Sequence, residues 1–328
     1  MTGARYRKAG VDIEAGEAAV GLLRTGTGLD TNAFAQGVAA DDADPSVRTL
    51  ATTDGVGTKT LLAASLGRLD GLGADLVNHC VNDLLAAGGR PRMFLDYIGM
   101  HRTDPETVAM LVHGMRRACV ESGCELVGGE TAEMPDVYRP GTFELVGTLI
   151  GTVHADDALP RRDRMKSGNL LVGLMSSGPH TNGYTLIRSV MEDRDLNLSV
   201  EPGGASWADT LLAPHRSYAA HAAALRAEGL APAGIAHITG GGFQGNVGRL
   251  LPDGVGAVVD TAAWHPPAVF RQLVEWSGML RDEAYRVFNM GIGLVLVLPP
   301  DQARSAVDLL GDACIVGRLE PGSGVRLE

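Results

Sequence analysis

The chain has 328 residues, 45% of them apolar, with 39 acidic against 28 basic side chains and a formal charge of −11. That length allows about two domains at roughly 150 residues each, and that charge argues against a nucleic-acid partner, which a phosphate backbone would demand be met by a basic surface. The apolar run "GIGLVLVLPP" is about half a bilayer span, "MTGARYRKAG" lacks the core of a signal peptide, and Cys80, Cys119, Cys124 and Cys314 have neither zinc-knuckle nor disulfide-scaffold spacing. A cytoplasmic protein with no membrane partner is expected.

The first strand-like run, "VRTLATT", leads into "DGVGTK". This resembles a phosphate-handling loop but lacks the G-x-x-x-x-G-K-[ST] spacing of a P-loop. Lys59 and the amides of Gly55, Val56, Gly57 and Thr58 are expected to meet phosphate oxygens. A helical pattern follows over residues 74–87, where Asp75, Asn78, His79 and Asn82 share one stripe and Asp83 lies one turn beyond His79. The flanking Leu76, Val77, Cys80, Val81, Leu84 and Leu85 are apolar, so the stripe needs water, a metal or a ligand unless it is a solvated face. After the strand "MFLDYIGM" and a helix over 104–121, "CELVGGETAEMPD" reads as a brief strand, a tight glycine turn, and Glu130 at its exit. Hard oxygen ligands on strand ends suit magnesium, so Asp54, Asp83 and Glu130 are expected to gather around a magnesium–triphosphate complex.

The strand "FELVGTLIGTV" closes the first half, and apolar periodicity lapses in "HADDALPRRDRMKSGN". The cut gives domains at 1–158 and 159–328, with the cleft between them the default ligand site. Beyond it, "NLLVGLM" is a strand and "MSSGPHTNGYTLIR" a turn into a helix over 184–193, with Asn182 as its N-cap. A helix over 207–228 precedes "HITGGGFQGNVGRLL", whose glycine triplet could present free amides to an anion at a helix start, or be a plain turn; Arg249 lies too far along to be assigned. The strand "GVGAVVD", a helix over 266–277, the strand "GLVLVLP" and a helix over 301–310 complete the chain. The alternation of strands and helices means α/β or α+β; it does not give the sheet order.

Taken in order, "YRKAGVDIEAG", "TTDGVGTK", "DLVNHCVNDL", "FLDY", "LVGGETAEMP", "SSGPHTNGYTLIR", "HITGGGFQGN" and "FNMGIG" resemble one family, the phosphoribosylformylglycinamidine cyclo-ligases or aminoimidazole ribonucleotide synthetases. The resemblance implies a two-domain PurM-like fold and a homodimer, with N-terminal β-sheet domains forming a shared barrel and C-terminal α/β domains. It implies ATP-dependent ring closure of formylglycinamidine ribonucleotide with ATP and Mg²⁺ bound. By motif, Asp54, Asp83 and Glu130 are implied as metal acids, and Gly55 to Lys59, Asp75, Asn82, Gly129 and Thr131 as nucleotide contacts. Ser177, Gly178, His180, Asn182, Gly183, Tyr184, Thr239, Gly240, Gly241 and Gly242 are implied at the substrate, with His180, His237 and Asp54 catalytic; neutral imidazole titrates near the working pH. The segment "LLRTGTGLDTNAFAQGVAADDADP" departs from the family: Asn32 and Ala33 replace glycines before Phe34, Arg24 stands alone for the lysines, and Asp41, Asp42 and Asp44 form a solvated loop or an additional metal site. Alternatives are a sister ATP-dependent enzyme of the superfamily or a non-catalytic nucleotide-sensing dimer.

Overall fold

The computed structural model describes residues 4–27, 33–39, 44, 46–194 and 206–328. Two short helices, α1 (Ala4–Lys8) and α2 (Ile13–Thr27), precede the strands β1 (Gln36–Ala39) and β2 (Val47–Gly55). Then come α3 (Lys59–Ser65), α4 (Leu72–Ala86), β3 (Arg90–Met100), α5 (Pro105–Ser122), β4 (Glu125–Glu133) and β5 (Phe143–His154). These five strands form one sheet in the order β1-β2-β5-β3-β4, antiparallel except for β3 and β4. The α5 crossover makes that one parallel pair possible. Asp104 caps α5 by accepting from the Thr107 amide, and Gly123 ends it in a left-handed conformation.

The second half contains β6 (Leu170–Met175), α6 (Tyr184–Arg194), α7 (Trp207–Leu212), α8 (Ala219–Ala227), β7 (Gly234–His237), α9 (Gly242–Gly248) and β8 (Val255–Val259). It ends in α10 (Ala268–Ser277), α11 (Arg281–Val287), β9 (Ile292–Leu298), α12 (Pro300–Leu310), β10 (Ala313–Pro321) and β11 (Val325–Leu327). Its six strands form a sheet in the order β11-β8-β10-β6-β9-β7. Strand β9 is buried along its whole length, as expected of a central strand covered on both faces.

In β5, Phe143, Leu145, Leu149 and Val153 are buried on one face, while Val146, Thr148, Ile150 and Thr152 on the other are only half-buried. All fifteen residues of α4 are buried, because the helix lies between the first sheet and the second half. Its polar stripe is therefore not a solvated face.

Three sequence expectations need correction. The pair Gly128–Gly129 does not turn the chain, since β4 runs through it to Glu133. A Cβ on Gly129 would lie 2.3 Å from Asp96 Oδ1, so the glycine serves close strand approach. The helix expected over 207–228 is broken by residues 213–218, beginning at Ala213–Pro214. Residues 4–27, assigned to the first domain, include a helix seated on the second: the amides of Arg5 and Tyr6 donate to buried Glu283 Oε1, satisfying orphan donors at the start of α1.

Candidate active site at the seam between the halves

The side chains of α4 grip the irregular segment 213–218. Asp75 Oδ1 accepts from the His215 amide at 2.6 Å, Asn78 Nδ2 donates to His215 O at 2.7 Å, and Asn82 donates to Arg216 O and accepts from the Tyr218 amide. These bonds satisfy a stretch of backbone that has no ladder of its own, which explains why polar groups face inward here. Asp75 and Asn82 are both 0% exposed and hold the two halves together.

Lys59, expected at the phosphates, is likewise engaged within the protein. Its Nζ is fully buried, 2.8 Å from Asp75 Oδ1 and 2.8 Å from Ala213 O. Burial pushes the Lys59 ammonium down and the Asp75 carboxyl up from their ordinary values, and each charge partly restores the other. Two of the expected loop amides are also engaged, with Gly55 N donating to Asp54 Oδ1 and Val56 N to Leu145 O. Gly57, exposed with φ +66, and Thr58 form the open part of the loop, and Thr58 Oγ1 meets Thr185 Oγ1 across the seam at 2.9 Å.

The three acids do not gather. Asp54 is in register with Gly147, Gly147 with Asp96, and Asp96 with Gly129, which puts Glu130 three strands, or about 14 Å, from Asp54. Glu130 is also in register with Tyr97 and Val146, on the opposite face of the sheet. Gly129 and Thr131 share this distant edge, so the nucleotide contacts implied for them are not assembled within one chain. Asp44 accepts from the Ser46 amide in a local turn, whereas Asn32, Asp41, Asp42 and the side chain of Arg24 lie outside the described residues.

Asp54 and Asp83 are joined by histidines. Asp54 Oδ2 is 2.9 Å from His79 Nε2, and Asp83 Oδ1 is 2.8 Å from His237 Nδ1. Between them, Thr181 Oγ1 lies 2.9 Å from His79 Nδ1 and 3.4 Å from His215 Nδ1, and His215 Nε2 lies 3.0 Å from His237 Nε2. Burial would depress His79, but Asp54, with Asp83 and Asp75, overrides it and raises the imidazole to about 9. Burial would raise Asp54, and the His79 contact reverses that, leaving its carboxyl below the ordinary value. Burial and mutual repulsion hold His180 and His215 well below theirs; His237 is lowered by burial against the pull of Asp83.

His180 and His237, expected to meet the substrate, are 1% and 0% exposed. His180 sits at φ +63 and turns inward to stack on His215, ring centroids 3.9 Å apart and 21° from parallel. That near-parallel stack keeps the two rings from aiming their lone pairs at one ion, so His180, His215 and His237 do not form a metal triad as arranged. The carboxylate side chains are the open groups, Asp54 at 37% and Asp83 at 12% exposed.

The glycine loops of the second half are also tighter than the sequence suggests. Gly240 N donates to Asn182 Oδ1, Gly241 N to Arg286 O and Gly242 N to Thr239 O, so none of the three amides awaits an anion. Asn182 bridges the two loops and does not cap α6. Tyr184 is buried with its hydroxyl on Leu211 O, Gly183 packs against Phe288, and Gly178 O accepts from Asn289, which removes these three from direct substrate contact. Ser177, Thr239, Gly240 and Gly241 remain at least partly exposed beside Asn182. Sequence reasoning passed over Thr181 and His215 and left Arg249 unassigned; Arg249 stacks its guanidinium 4.7 Å over the ring of Phe34 and ties residues 33–39 to the second half. No local pattern marked them, since their partners are 22 to 215 positions away in the chain. A hollow of about 240 Å³ lined by Leu85, Arg161, Leu225 and Arg226 lies elsewhere on the seam, away from the acids and histidines.

Family models described as AIR synthase related protein match in two parts, the N-terminal domain over residues 38–153 and the C-terminal domain over 166–328. A phosphoribosylformylglycinamidine cyclo-ligase of Oceanobacillus iheyensis is 39% identical over 337 residues, covering 98% of each chain. One of Xanthomonas oryzae pv. oryzae is 39% identical over 335 residues, covering 97% of each. Among solved structures, "AaThiL complexed with AMPPCP and TMP" superposes with a TM-score of 0.69 at 17% identity, covering 95% of this chain and 92% of the other. That likeness shows a shared fold.

Proposed function

The chain belongs to the phosphoribosylformylglycinamidine cyclo-ligase family, and from that premise we propose that its seam positions ATP and formylglycinamidine ribonucleotide for closure of the imidazole ring. It is an ATP-dependent ligase of purine biosynthesis. A formyl amide is a weak electrophile whose oxygen leaves poorly. Phosphoryl transfer from ATP to that oxygen gives an imidate phosphate, and the neighbouring amidine nitrogen then attacks the same carbon, loses a proton, and expels phosphate. The protein's part is to align the two reactants, exclude water, and manage charge and protons.

The observation that best supports the seam is the pairing of Asp54 from the first half with Asp83 through a buried row of histidines, at the junction of the Gly57–Thr58, Ser177–Asn182 and Thr239–Gly241 loops. Thr58 meets Thr185 of α6 across the seam, and Asn182 ties the Ser177–Asn182 and Thr239–Gly241 loops of the second half to each other. Because the loop amides are satisfied internally, an entering phosphate must displace some of these bonds, and closure on the nucleotide involves local rearrangement of both loops.

Magnesium enters this reading as the complex with ATP. The expected set of three acids does not fit it within one chain, since Glu130 faces away and the Asp54 and Asp83 oxygens hold imidazoles, so no step is routed through the ion. A homodimer is part of the proposal. Its support is the uncovered face of the first sheet, where Met93, Leu95, Val146 and Ile150 leave apolar surface open. The cytoplasm, where biosynthesis draws on ATP, is the proposed location.

The experiment is direct: protein, ATP, Mg²⁺ and formylglycinamidine ribonucleotide are incubated, and the aminoimidazole product is followed colorimetrically. One ADP and one phosphate per product are expected. Nucleotide binding without turnover, or ADP formed only with a different substrate, overturns the reading.

A further inference from the structure

We propose that the hollow of about 240 Å³ on the seam is a binding site for a small organic anion, a ring-sized apolar body carrying one carboxylate or phosphate. The inference is independent of the ring-closure reading, since none of the residues named for that reaction lines the hollow. An apolar cavity of about 150 Å³ holds one benzene ring, so the volume here takes a ring with a compact head group and is too small to enclose a nucleoside triphosphate.

The walls come from both halves and from the segment that joins them. Leu85 stands in the last turn of α4, Ala222 and Leu225 on α8, and Ile235 in β7, with Leu159 and Leu230 from the connecting segments. Two backbone bonds fix the joining segment against the other walls. Leu159 N donates to Ala87 O at 3.1 Å just beyond α4, and Arg161 N donates to Ala233 O at 2.7 Å just before β7. Gly88, at φ +82, lets the same segment approach the end of α4, because a Cβ there would lie 2.1 Å from Asp157 O. The hollow is therefore framed by backbone bonds and is formed before any ligand arrives.

The rim selects the charge. Arg161, Arg164 and Arg226 stand around it. Among the described residues, the guanidinium groups of Arg164 and Arg226 have no hydrogen-bond or ion-pair partner. Burial, with repulsion from Arg90, holds Arg226 below its ordinary value against the pull of Asp157, so an anion supplies the charge this group lacks. Arg161 donates to Asp156 O, which leaves other donors of its fork. Two acids share the rim, and both are turned to other partners. Asp157 lies 3.9 Å from Arg90, and Asp156, its side chain 88% exposed, lies 3.6 Å from His154 Nδ1. Such a concentration of guanidinium on a chain of formal charge −11 is complementary to an anion, and a carboxylate or phosphate can take two N–H bonds from one fork.

A ligand has to satisfy both parts. Inorganic phosphate leaves the apolar walls wet, a neutral ring leaves the guanidinium groups unpaired, and a cation meets repulsion at the rim. Because walls from both halves meet the same molecule, occupancy stabilises the present juxtaposition of the halves by mass action. The occupant touches none of the acids, histidines or loops placed at the reaction, so it is an effector of the seam and not a reactant.

The test uses the full-length protein and four probes: phenyl phosphate, benzoate, inorganic phosphate and phenol. In methyl-¹³C spectra, the signals of Leu85, Leu225 and Ile235 should move saturably with phenyl phosphate or benzoate, with a millimolar or tighter Kd, and the tighter of the two identifies the head group. Inorganic phosphate and phenol should each bind at least tenfold more weakly. Arg226→Gln should weaken the tighter anionic probe at least tenfold while leaving phenol unchanged, a split that loss of fold cannot produce. Ala222→Leu fills the hollow and should abolish the methyl shifts. The site is overturned if these three methyls show no saturable movement, if phenol binds as tightly as both aromatic anions, if Arg226→Gln keeps wild-type affinity, or if the shifts survive Ala222→Leu. A wild type that forms no aminoimidazole product refutes the ring-closure reading instead, and these titrations then decide the hollow alone.

Discussion

Replacing Lys59 by methionine separates the two roles its sequence position allows. In the structure, Asp75 Oδ1 is shared between Lys59 Nζ and the His215 amide, and its Oδ2 is buried with no partner. Lys59→Met therefore leaves a carboxylate of zero exposure with one hydrogen bond, a change that costs about 3–5 kcal/mol when a buried pair is broken from one side. Against a total stability of roughly 5–15 kcal/mol, urea unfolding should show this plainly. Adding Asp75→Asn removes the stranded charge and should recover roughly 2 kcal/mol. The pH dependence has a defined sign. Burial already raises the Asp75 carboxyl, and without Lys59 it rises further, so the folded variant holds a proton that the unfolded chain has released. Its stability is then greatest in acid and falls as pH climbs from the unfolded value near 3.8 through the raised folded one. If Lys59→Met unfolds within about 0.5 kcal/mol of wild type and instead weakens ATP binding tenfold, the buried-pair account is refuted and the lysine is a phosphate ligand.

The rise of His79 from 6.5 to about 9 is worth about 3 kcal/mol; because the folded value is raised, that stabilisation is complete below pH 6.5 and disappears as pH passes through about 9, which chemical denaturation across pH 6–10 should show. Asp54→Asn removes the main group holding that proton, and NMR titration should find His79 more than one pH unit lower, with turnover lost and the fold retained. Gly242→Ala places a Cβ 1.7 Å from Tyr285 O at φ +62; the left-handed backbone alone costs roughly 1–3 kcal/mol and the clash adds to it, so its unfolding midpoint in urea should fall sharply. Leu95→Asp puts a charge on the uncovered face of the first sheet and should convert a dimer to monomer by light scattering, leaving circular dichroism unchanged.

The sequence was most informative where chemistry repeats locally. Strands such as "VRTLATT" and "GLVLVLP" and the helix over 104–121 carry period and capping signals that tertiary packing does not override. The stripe Asp75–Asn78–His79–Asn82 was visible as a feature demanding satisfaction. Its partner was not, because the segment 213–218 that meets it was read through as part of a helix despite Pro214, and the side chains of α4 that satisfy its backbone lie far away in the chain. Lys59 followed the pattern of a phosphate loop, while its burial depends on Ala213 and Asp75. The turn expected at Gly128–Gly129 failed for a different reason: a glycine pair in isolation suggests a turn, and the close approach to Asp96 that it serves is a property of strand pairing. Residues acting through long-range contacts, His215 and Thr181 above all, have no one-dimensional signature.

The measurement closest to the central claim follows one oxygen atom. Substrate labelled with ¹⁸O at the formyl group is turned over with ATP, and the phosphate released is analysed by mass spectrometry. Transfer of that oxygen to phosphate in every turnover is what activation through an imidate phosphate requires. Unlabelled phosphate, with ¹⁸O released to water, contradicts it.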